Sequence, residues 1–151
     1  MSGTRIREFL DKENVKYVTI SHSPAFTAQE VAQSAHIPGK ELAKTVIVKI
    51  DGEMARVVTP ASENVKLARV KEAVGAHEVD LASEDEFKGS FPDCETGAMP
   101  PFGNLYDMKV FVSQVLREDE QIAFNAGSHS ELIQLPYTEF ERLVEPTPLS
   151  A

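Results

Sequence analysis

An Asp-Gly pair between two runs rich in β-branched residues is the strongest local signal in the chain. Residues 44–50 (KTVIVKI) and 53–59 (EMARVVT) flank Asp51-Gly52 directly. A two-residue type I′ turn needs positive φ at both central positions, and Asp followed by Gly is a favoured pair for it. The sequence therefore predicts a β-hairpin here.

Helical and strand patterns alternate on both sides of this hairpin. Strands are predicted at 15–20, 108–112, 121–125 and 131–135, and residues 91–103 form a loop dense in proline and glycine. Capping residues and apolar spacing predict helices that begin near Thr4, Thr27, Leu67, Ser83 and Tyr137, the third ending at Gly75. Clustered strands flanked by helices favour an α+β domain with a mixed or antiparallel curved sheet over a doubly wound parallel one.

Length and composition bound the class of protein. We expect residues 1–145 of the 151 to form a single domain, and the prolines at 146 and 148 to keep the tail 146–151 out of regular structure. The single cysteine, Cys94, excludes an internal disulfide and a multi-cysteine zinc site. No apolar run approaches the roughly 20 residues of a membrane helix, and the first residues lack the apolar stretch of a secretory signal. We therefore expect a cytoplasmic protein.

The charge balance limits how the chain can bind nucleic acid. Its formal net charge is -9, so a nucleic acid is repelled on average and needs a local basic patch. The candidate patch lies on the predicted third helix and its surroundings: Lys66, Arg69 and Lys71, joined by Lys40, Lys49 and Arg56. No exposed apolar heptad is evident, so a monomer is expected.

Common catalytic signatures are absent. The chain has no GxGxxG before a helix, no GxxxxGK[ST], no HExxH and no GxSxG. Its four histidines stand far apart, without the i, i+4 spacing that presents two imidazoles to one metal. We therefore expect neither a metal nor a cofactor.

Three features stand out, and each has an ordinary structural alternative. Lys44 at the mouth of an apolar strand can hold a phosphate or carbonyl oxygen, or it is a solvated strand end. The loop 97–103 (GAMPPFG) can offer backbone N–H groups as an oxyanion hole, or it is a rigid connector. The turn 125–130 (NAGSHS) can place a histidine at a pocket edge, or it is a plain hairpin turn. For Cys94, a buried structural role is favoured over that of a nucleophile.

Four motifs in one order resemble a known family. They are FTAQEVA at 26–32, KTVIV at 44–48, GAMPPFG at 97–103 and FNAGSH at 124–129. The set is similar to the YbaK-like aminoacyl-tRNA deacylases, single-domain relatives of the editing domain inserted in bacterial prolyl-tRNA synthetases. The resemblance spans nearly the whole chain.

The resemblance implies a fold, an activity and a site. The fold is a curved, barrel-like mixed sheet ringed by helices. The activity is water attack on the 3′-ester of a mischarged tRNA, here tRNA for proline carrying alanine, cysteine or another small amino acid. The implied catalytic residues are Lys44, Gly97 and Pro101. The implied substrate-binding residues are Phe26, Thr27, Ala98, Met99, Pro100, Gly127, Ser128 and His129.

The implied partner is the acceptor end of a charged tRNA, delivered by a prolyl-tRNA synthetase or an elongation factor, with no membrane involved. Two other hypotheses remain open. One is a non-catalytic module with the same fold that binds a tRNA end or a synthetase. The other is a hydrolase that uses Cys94 and a histidine. Family members differ among alanine, cysteine, serine and threonine, and no residue here selects one.

Overall fold

The computed structural model describes residues 4–22, 33, 37–63, 65–83, 101–102, 108–128 and 130–149. The helices are α1 (Thr4–Lys12), α2 (Leu67–Val74), α3 (Gln114–Arg117) and α4 (Tyr137–Val144). The strands are β1 (Val18–Ser21), β2 (Leu42–Ile50), β3 (Glu53–Pro60), β4 (Val79–Leu81), β5 (Lys109–Ser113), β6 (Gln121–Asn125), β7 (Glu131–Pro136) and β8 (Thr147–Leu149). The predicted helices after Thr27 and after Ser83 lie outside the described residues.

The described strands form one mixed sheet in the order β1-β7-β6-β2-β3-β5-β8, with β4 paired to β2. The pairs β2–β6, β3–β5 and β5–β8 are parallel, and the others are antiparallel. This confirms the predicted α+β class with a mixed sheet. Because β1 and β8 stand at the two edges, the described sheet does not close into a barrel.

The Asp51-Gly52 turn forms as predicted and also fixes β4. Asp51 has φ 49° and Gly52 has φ 89°, the positive values of a type I′ turn. The Asp51 carboxylate accepts hydrogen bonds from the backbone N–H groups of His77, at 3.0 Å, and Glu78, at 2.8 Å. The Asp51 N–H donates to the Glu78 carbonyl at 2.9 Å. One turn therefore joins β2 to β3 and ties down the segment leading into β4.

On the side away from β3, strand β2 has a different neighbour at each end. At its start it pairs with β6 through Leu42 and Ala43, and at its end with β4 through residues 48–50. Between them, residues 44–46 pair only with β3 among the described strands. We call this stretch of β2 the sheet gap. It lies inside the sheet, between the part of β2 that pairs with β6 and the part that pairs with β4.

Side-chain alternation gives the sheet two apolar faces. The first face packs against α1 and α4 in the largest cluster, which includes Ile6, Leu10, Ala43, Val58, Phe102, Phe124, Ile133 and Phe140. An ion pair between Arg7 and Glu131, at 3.1 Å, adds a link between α1 and β7. The second face carries two separate clusters. One contains Leu42, Ala61, Ala123 and Leu132, and the other packs α2 on Val48, Ala55, Val57 and Phe111.

Two sequence expectations are wrong, and three short elements were missed. Residues 147–149 pair in parallel with β5 as β8, despite the prolines, because Pro148 lies in an edge strand. Arg56 is 0% exposed, so it cannot belong to a basic surface patch. The missed elements are β4, α3 and β8, each four residues or shorter. None of the described helices is long and apolar enough to span a membrane.

Candidate active site

Lys44 lies in the sheet gap, on the second face, between the two apolar clusters of that face. On the same face of β2, Leu42 belongs to one cluster and Val46 packs against the other. Thr59 lies directly opposite Lys44 on β3 and is 3% exposed. The lysine is itself half-buried. The structure thus places an amine at a break in an otherwise apolar surface.

Burial governs the electrostatics of Lys44. Desolvation lowers the pKa of its ammonium below the ordinary value of 10.5, and the charge of Glu63 acts in the opposite direction. No hydrogen bond or ion pair holds the amine to any residue in the described part of the chain. The ammonium is therefore a donor free to bind a ligand with an anionic or carbonyl oxygen.

Asn125 is the last residue of β6, and sequence reasoning did not assign it to the site. The parallel pairing of β2 with β6 ends at Ala43 and Phe124, so Lys44 and Asn125 each follow the last pair by one residue and share one face of the sheet. Asn125 Oδ1 is enclosed and lacks a hydrogen-bond partner within the described residues. The sequence does contain a signal for Asn125 and for Thr59. Each is a polar residue at an inward-facing position of an otherwise apolar strand.

The turn after Asn125 holds two of the predicted site residues. Gly127 has φ 94°, a conformation that favours glycine, and Ser128 is 8% exposed. The Ser128 Oγ accepts from the Ser130 N–H at 3.4 Å, and the Ser130 carbonyl accepts from the His22 N–H at 2.9 Å. The turn therefore starts next to the sheet gap and is anchored to the chain after β1.

The end of the predicted oxyanion loop is fixed in the core. Pro101 is buried, and the neighbouring Phe102 is 0% exposed. The Phe102 ring lies 5.5 Å from Phe124 and from Phe140, and 5.9 Å from Phe9, between ring centroids. Because Phe124 directly precedes Asn125, this aromatic cluster holds the loop's end against the strand that borders the sheet gap.

The remaining predicted site residues lie outside the described residues. They are Phe26, Thr27, Gly97, Ala98, Met99, Pro100 and His129, together with the alternative nucleophile Cys94. Among the described residues, Lys44 and the Asn125–Gly127 turn both follow the short parallel contact of β2 with β6, and all of the site assignments stay predictions. Within the described ranges, no group of three or more His, Cys, Asp or Glu residues is arranged to hold a metal.

Two cavities lie away from Lys44. Their volumes are about 440 Å³ and 270 Å³, and Val74, Lys109 and Phe111 line both of them. Their shared lining residues lie at the end of α2 and in β5, and Val74 and Phe111 also belong to the cluster that packs α2 on the sheet. Neither cavity contains a predicted site residue.

The structure combines a half-buried lysine at a break in a mixed sheet with a glycine turn at the end of β6. This combination is typical of a small α+β domain that binds its ligand against one face of the sheet. Residues 22–143 match the aminoacyl-tRNA editing domain family. The matched range includes Lys44, Asn125 and Gly127. The chain belongs to the aminoacyl-tRNA editing domain family, which confirms the resemblance drawn from the four motifs.

Relatives within the family differ in architecture. The Multifunctional Ser/Thr-tRNA deacylase ProXp-y of Escherichia coli K12 is 24% identical over 150 residues, covering 94% of this chain and 87% of its own. The proline–tRNA ligase of Staphylococcus epidermidis is 30% identical over 92 residues, which cover 61% of this chain. The matched stretch is only 16% of that ligase and 15% of the ligase of Bacillus mycoides. The chain therefore corresponds to a small part of those synthetases.

Solved structures support the fold. A crystal structure reported as that of a candidate trans-editing enzyme for prolyl-tRNA synthetase superimposes with a TM-score of 0.81 at 17% identity, covering 99% of this chain and 96% of the other. A second, of a protein described as hypothetical, gives 0.83 at 20% identity over 97% of both chains. At these identities the likeness concerns the fold alone.

Proposed function

We propose that this protein is a trans-editing hydrolase that removes a wrong, small amino acid from a mischarged tRNA. The observation that carries the proposal is the half-buried ammonium of Lys44, unpaired among the described residues and placed in the sheet gap of an editing-domain fold. An ammonium at this position can donate a hydrogen bond to the terminal phosphate or to an ester carbonyl without first losing a hydrogen bond to the protein.

Hydrolysis at this site does not require a protein nucleophile. An aminoacyl ester is already activated, so orienting one water and stabilising the developing oxyanion is sufficient. The water oxygen bonds to the carbonyl carbon, the bond to the ribose 3′ oxygen breaks, and that oxygen takes a proton. The family resemblance assigns a ribose hydroxyl of the substrate to help activate the water.

The other residue roles follow the family resemblance. The loop with Gly97 and Pro101 would stabilise the oxyanion through backbone N–H groups, and its fixed end at Phe102 supports this role. Contacts to the aminoacyl group and the terminal adenosine are assigned to Phe26, Thr27, Ala98, Met99, Pro100, Gly127, Ser128 and His129.

The substrate is proposed as tRNA for proline that carries alanine, cysteine, serine or threonine. Serine and threonine are supported by the name of the Escherichia coli relative, and proline by the ligases that contain a matching stretch. A pocket that excludes proline by size discriminates more steeply than the roughly 1–3 kcal/mol of one methylene.

The proposed setting follows from this substrate. The chain acts as one domain that includes β8, as a monomer and without a cofactor, in the cytoplasm where tRNA is charged. A prolyl-tRNA synthetase or an elongation factor would deliver the tRNA, since a chain of net charge -9 attracts it weakly.

Replacing Lys44 by alanine tests the proposal. We expect Lys44→Ala to lower the rate of deacylation by about 100-fold or more, in the range of a lost oxyanion-hole donor, with an unchanged melting temperature. The matched control is Lys16→Ala, which removes an exposed lysine and should leave the rate unchanged. Full turnover by Lys44→Ala would overturn the assignment.

The same assay separates the two alternatives. Slower hydrolysis of mischarged tRNA in the presence of the wild-type protein than in buffer would indicate the non-catalytic binding module. A loss of turnover in Cys94→Ser would indicate the cysteine hydrolase, whereas the proposal predicts no change in that variant.

A further inference from the structure

Asn125 has an unsatisfied acceptor next to the proposed catalytic lysine. Its Oδ1 is enclosed and has no hydrogen-bond partner in the described part of the chain, although the residue is only half-buried. An unpaired buried carbonyl loses its hydrogen bond to water on folding, so a folded protein rarely keeps one without a reason. A ligand that brings a donor to this oxygen would replace the lost hydrogen bond.

Lys44 and Asn125 have complementary hydrogen-bonding chemistry. The ammonium of Lys44 only donates, and the amide oxygen of Asn125 only accepts. Both residues directly follow the last pair of two parallel strands, which stand about 4.8 Å apart where they are paired. An aminoacyl ester shows the matching pattern, since its carbonyl oxygen accepts and the α-amino group on the adjacent carbon donates.

We infer that Asn125 binds the α-amino group of the aminoacyl ester through Oδ1. This inference rests on the proposed function and assigns one substrate group to one residue. The α-ammonium and the Lys44 ammonium repel each other, so an acceptor between the strands is needed to hold both in one site. Thr59, on the other side of Lys44, completes a polar row of three across the second face.

Rotation of the Asn125 amide gives the substrate access to Oδ1. The χ2 torsion of asparagine is broad, so turning the amide costs little. Because part of the residue is exposed, we expect such a turn to bring the oxygen within reach of the substrate. Binding of the ammonium then replaces an unsatisfied acceptor by a charge-assisted hydrogen bond.

A substrate that lacks the α-amino group tests the inference directly. tRNA for proline is charged with alanine and, separately, acylated with propionate, which differs only in having hydrogen in place of the amine. A hydrogen bond to a charged group is worth about 1.5–3 kcal/mol. We therefore expect Asn125→Ala to lower kcat/KM about 10- to 100-fold for the alanyl ester and less than about threefold for the propionyl ester.

Two further variants keep the test decisive if the alanine variant folds poorly. Asn125→Asp keeps an acceptor of nearly the same shape and should retain or increase the preference for the alanyl over the propionyl ester. Gln121→Ala removes an exposed amide from the same face of the same strand and should change neither rate. Melting temperatures of all variants confirm folding.

The outcomes separate this inference from the proposed function. Equal losses for both esters in Asn125→Ala, or an Asn125→Asp variant without preference for the alanyl ester, would refute the role of Asn125 while leaving the deacylase in place. Failure of the wild-type protein to hydrolyse any aminoacyl ester would instead refute the proposed function itself.

Discussion

Burial between two apolar clusters gives Lys44 an environment that an exposed strand end lacks. Desolvation favours the neutral amine, and the charge of Glu63 offsets this only in part, so the pKa falls below 10.5. If binding requires the ammonium, activity must be lost at a lower pH than for an ordinary lysine.

We therefore predict that kcat/KM of the wild-type protein declines on the alkaline side before pH 10.5, after subtraction of spontaneous ester hydrolysis. Lys44→Arg keeps a positive charge at all accessible pH values, so its residual activity should lack this decline. A pH–rate profile of both proteins is the measurement. An identical decline in the two would show that another group titrates.

Sequence reasoning found Lys44 because its charge interrupts an apolar strand. It missed Asn125 and Thr59 because their importance depends on which strands lie side by side. Asn125 and Lys44 are related only through the parallel contact of β6 with β2, which ends one residue before both and joins distant parts of the chain. The burial of Arg56 was likewise invisible, since a charged residue in a strand is usually exposed.

At the scale of elements, the carboxylate of Asp51 stabilises both the hairpin turn and the segment that leads into β4. Hydrogen bonds from the Glu78 and His77 N–H groups lower the pKa of Asp51 below 3.8. A lowered pKa contributes stability that is complete above the unfolded-state value and lost as pH falls through the folded-state value.

We expect Asp51→Asn to melt at a lower temperature than the wild-type protein at pH 7, because the uncharged amide is a weaker acceptor. Asn-Gly still suits the turn, so the fold is retained. The difference should shrink as the pH falls below about 3.8, the ordinary pKa of an aspartate side chain. Melting curves from neutral to acid pH check this, with Glu53→Gln as an exposed control. A difference that persists unchanged in acid would contradict it.

The aromatic cluster around Phe102 joins α1, β6 and α4 to the end of the proposed oxyanion loop. We predict that Phe102→Ala lowers the free energy of unfolding by about 3–5 kcal/mol through the cavity it leaves. Phe102→Leu should cost less and still reduce deacylation, because the loop end is held less firmly. Urea unfolding and rate assays measure both effects. A loss below about 1 kcal/mol in Phe102→Ala would show that the ring is not central to the core.

Elements with strong local signals were predictable from sequence. The Asp51-Gly52 turn and the αL cap at Gly75, with φ 65°, depend on residues within the element. The short strands β4 and β8 are different, since pairing with β2 and β5 creates them. Four residues or fewer carry too little periodicity to be recognised alone.

For the whole molecule, the net charge of -9 conflicts with tight binding of tRNA. Lys66, directly before α2, and Lys71, on α2, are both exposed, and α2 packs on the same face of the sheet as Lys44. These two cations can neutralise only a few phosphates of a bound tRNA. We predict a shallow salt dependence of tRNA binding. Each phosphate contact adds about 0.9 to the slope of log K against log salt concentration, and we expect a slope that corresponds to about three contacts or fewer. Titrations at several salt concentrations measure it, and a slope beyond about five would contradict the expectation.

From the sequence, the arrangement of the whole molecule was predictable only as a fold class, namely an α+β domain with a mixed sheet. Clustered strands between helices indicated a mixed sheet, but the sheet gap exists because β6 contacts just the first two residues of β2. No local pattern in residues 42–50 encodes where that contact ends. The candidate site is therefore a product of topology, although its lysine is visible in the sequence.

The most direct test of the account is a deacylation time course. tRNA for proline is charged separately with alanine, cysteine, serine, threonine and proline, and each is incubated with and without a catalytic amount of the protein. The account predicts accelerated hydrolysis of at least one small amino acid and none of proline. Hydrolysis of the prolyl ester at the same rate, or no acceleration for any ester, would contradict it.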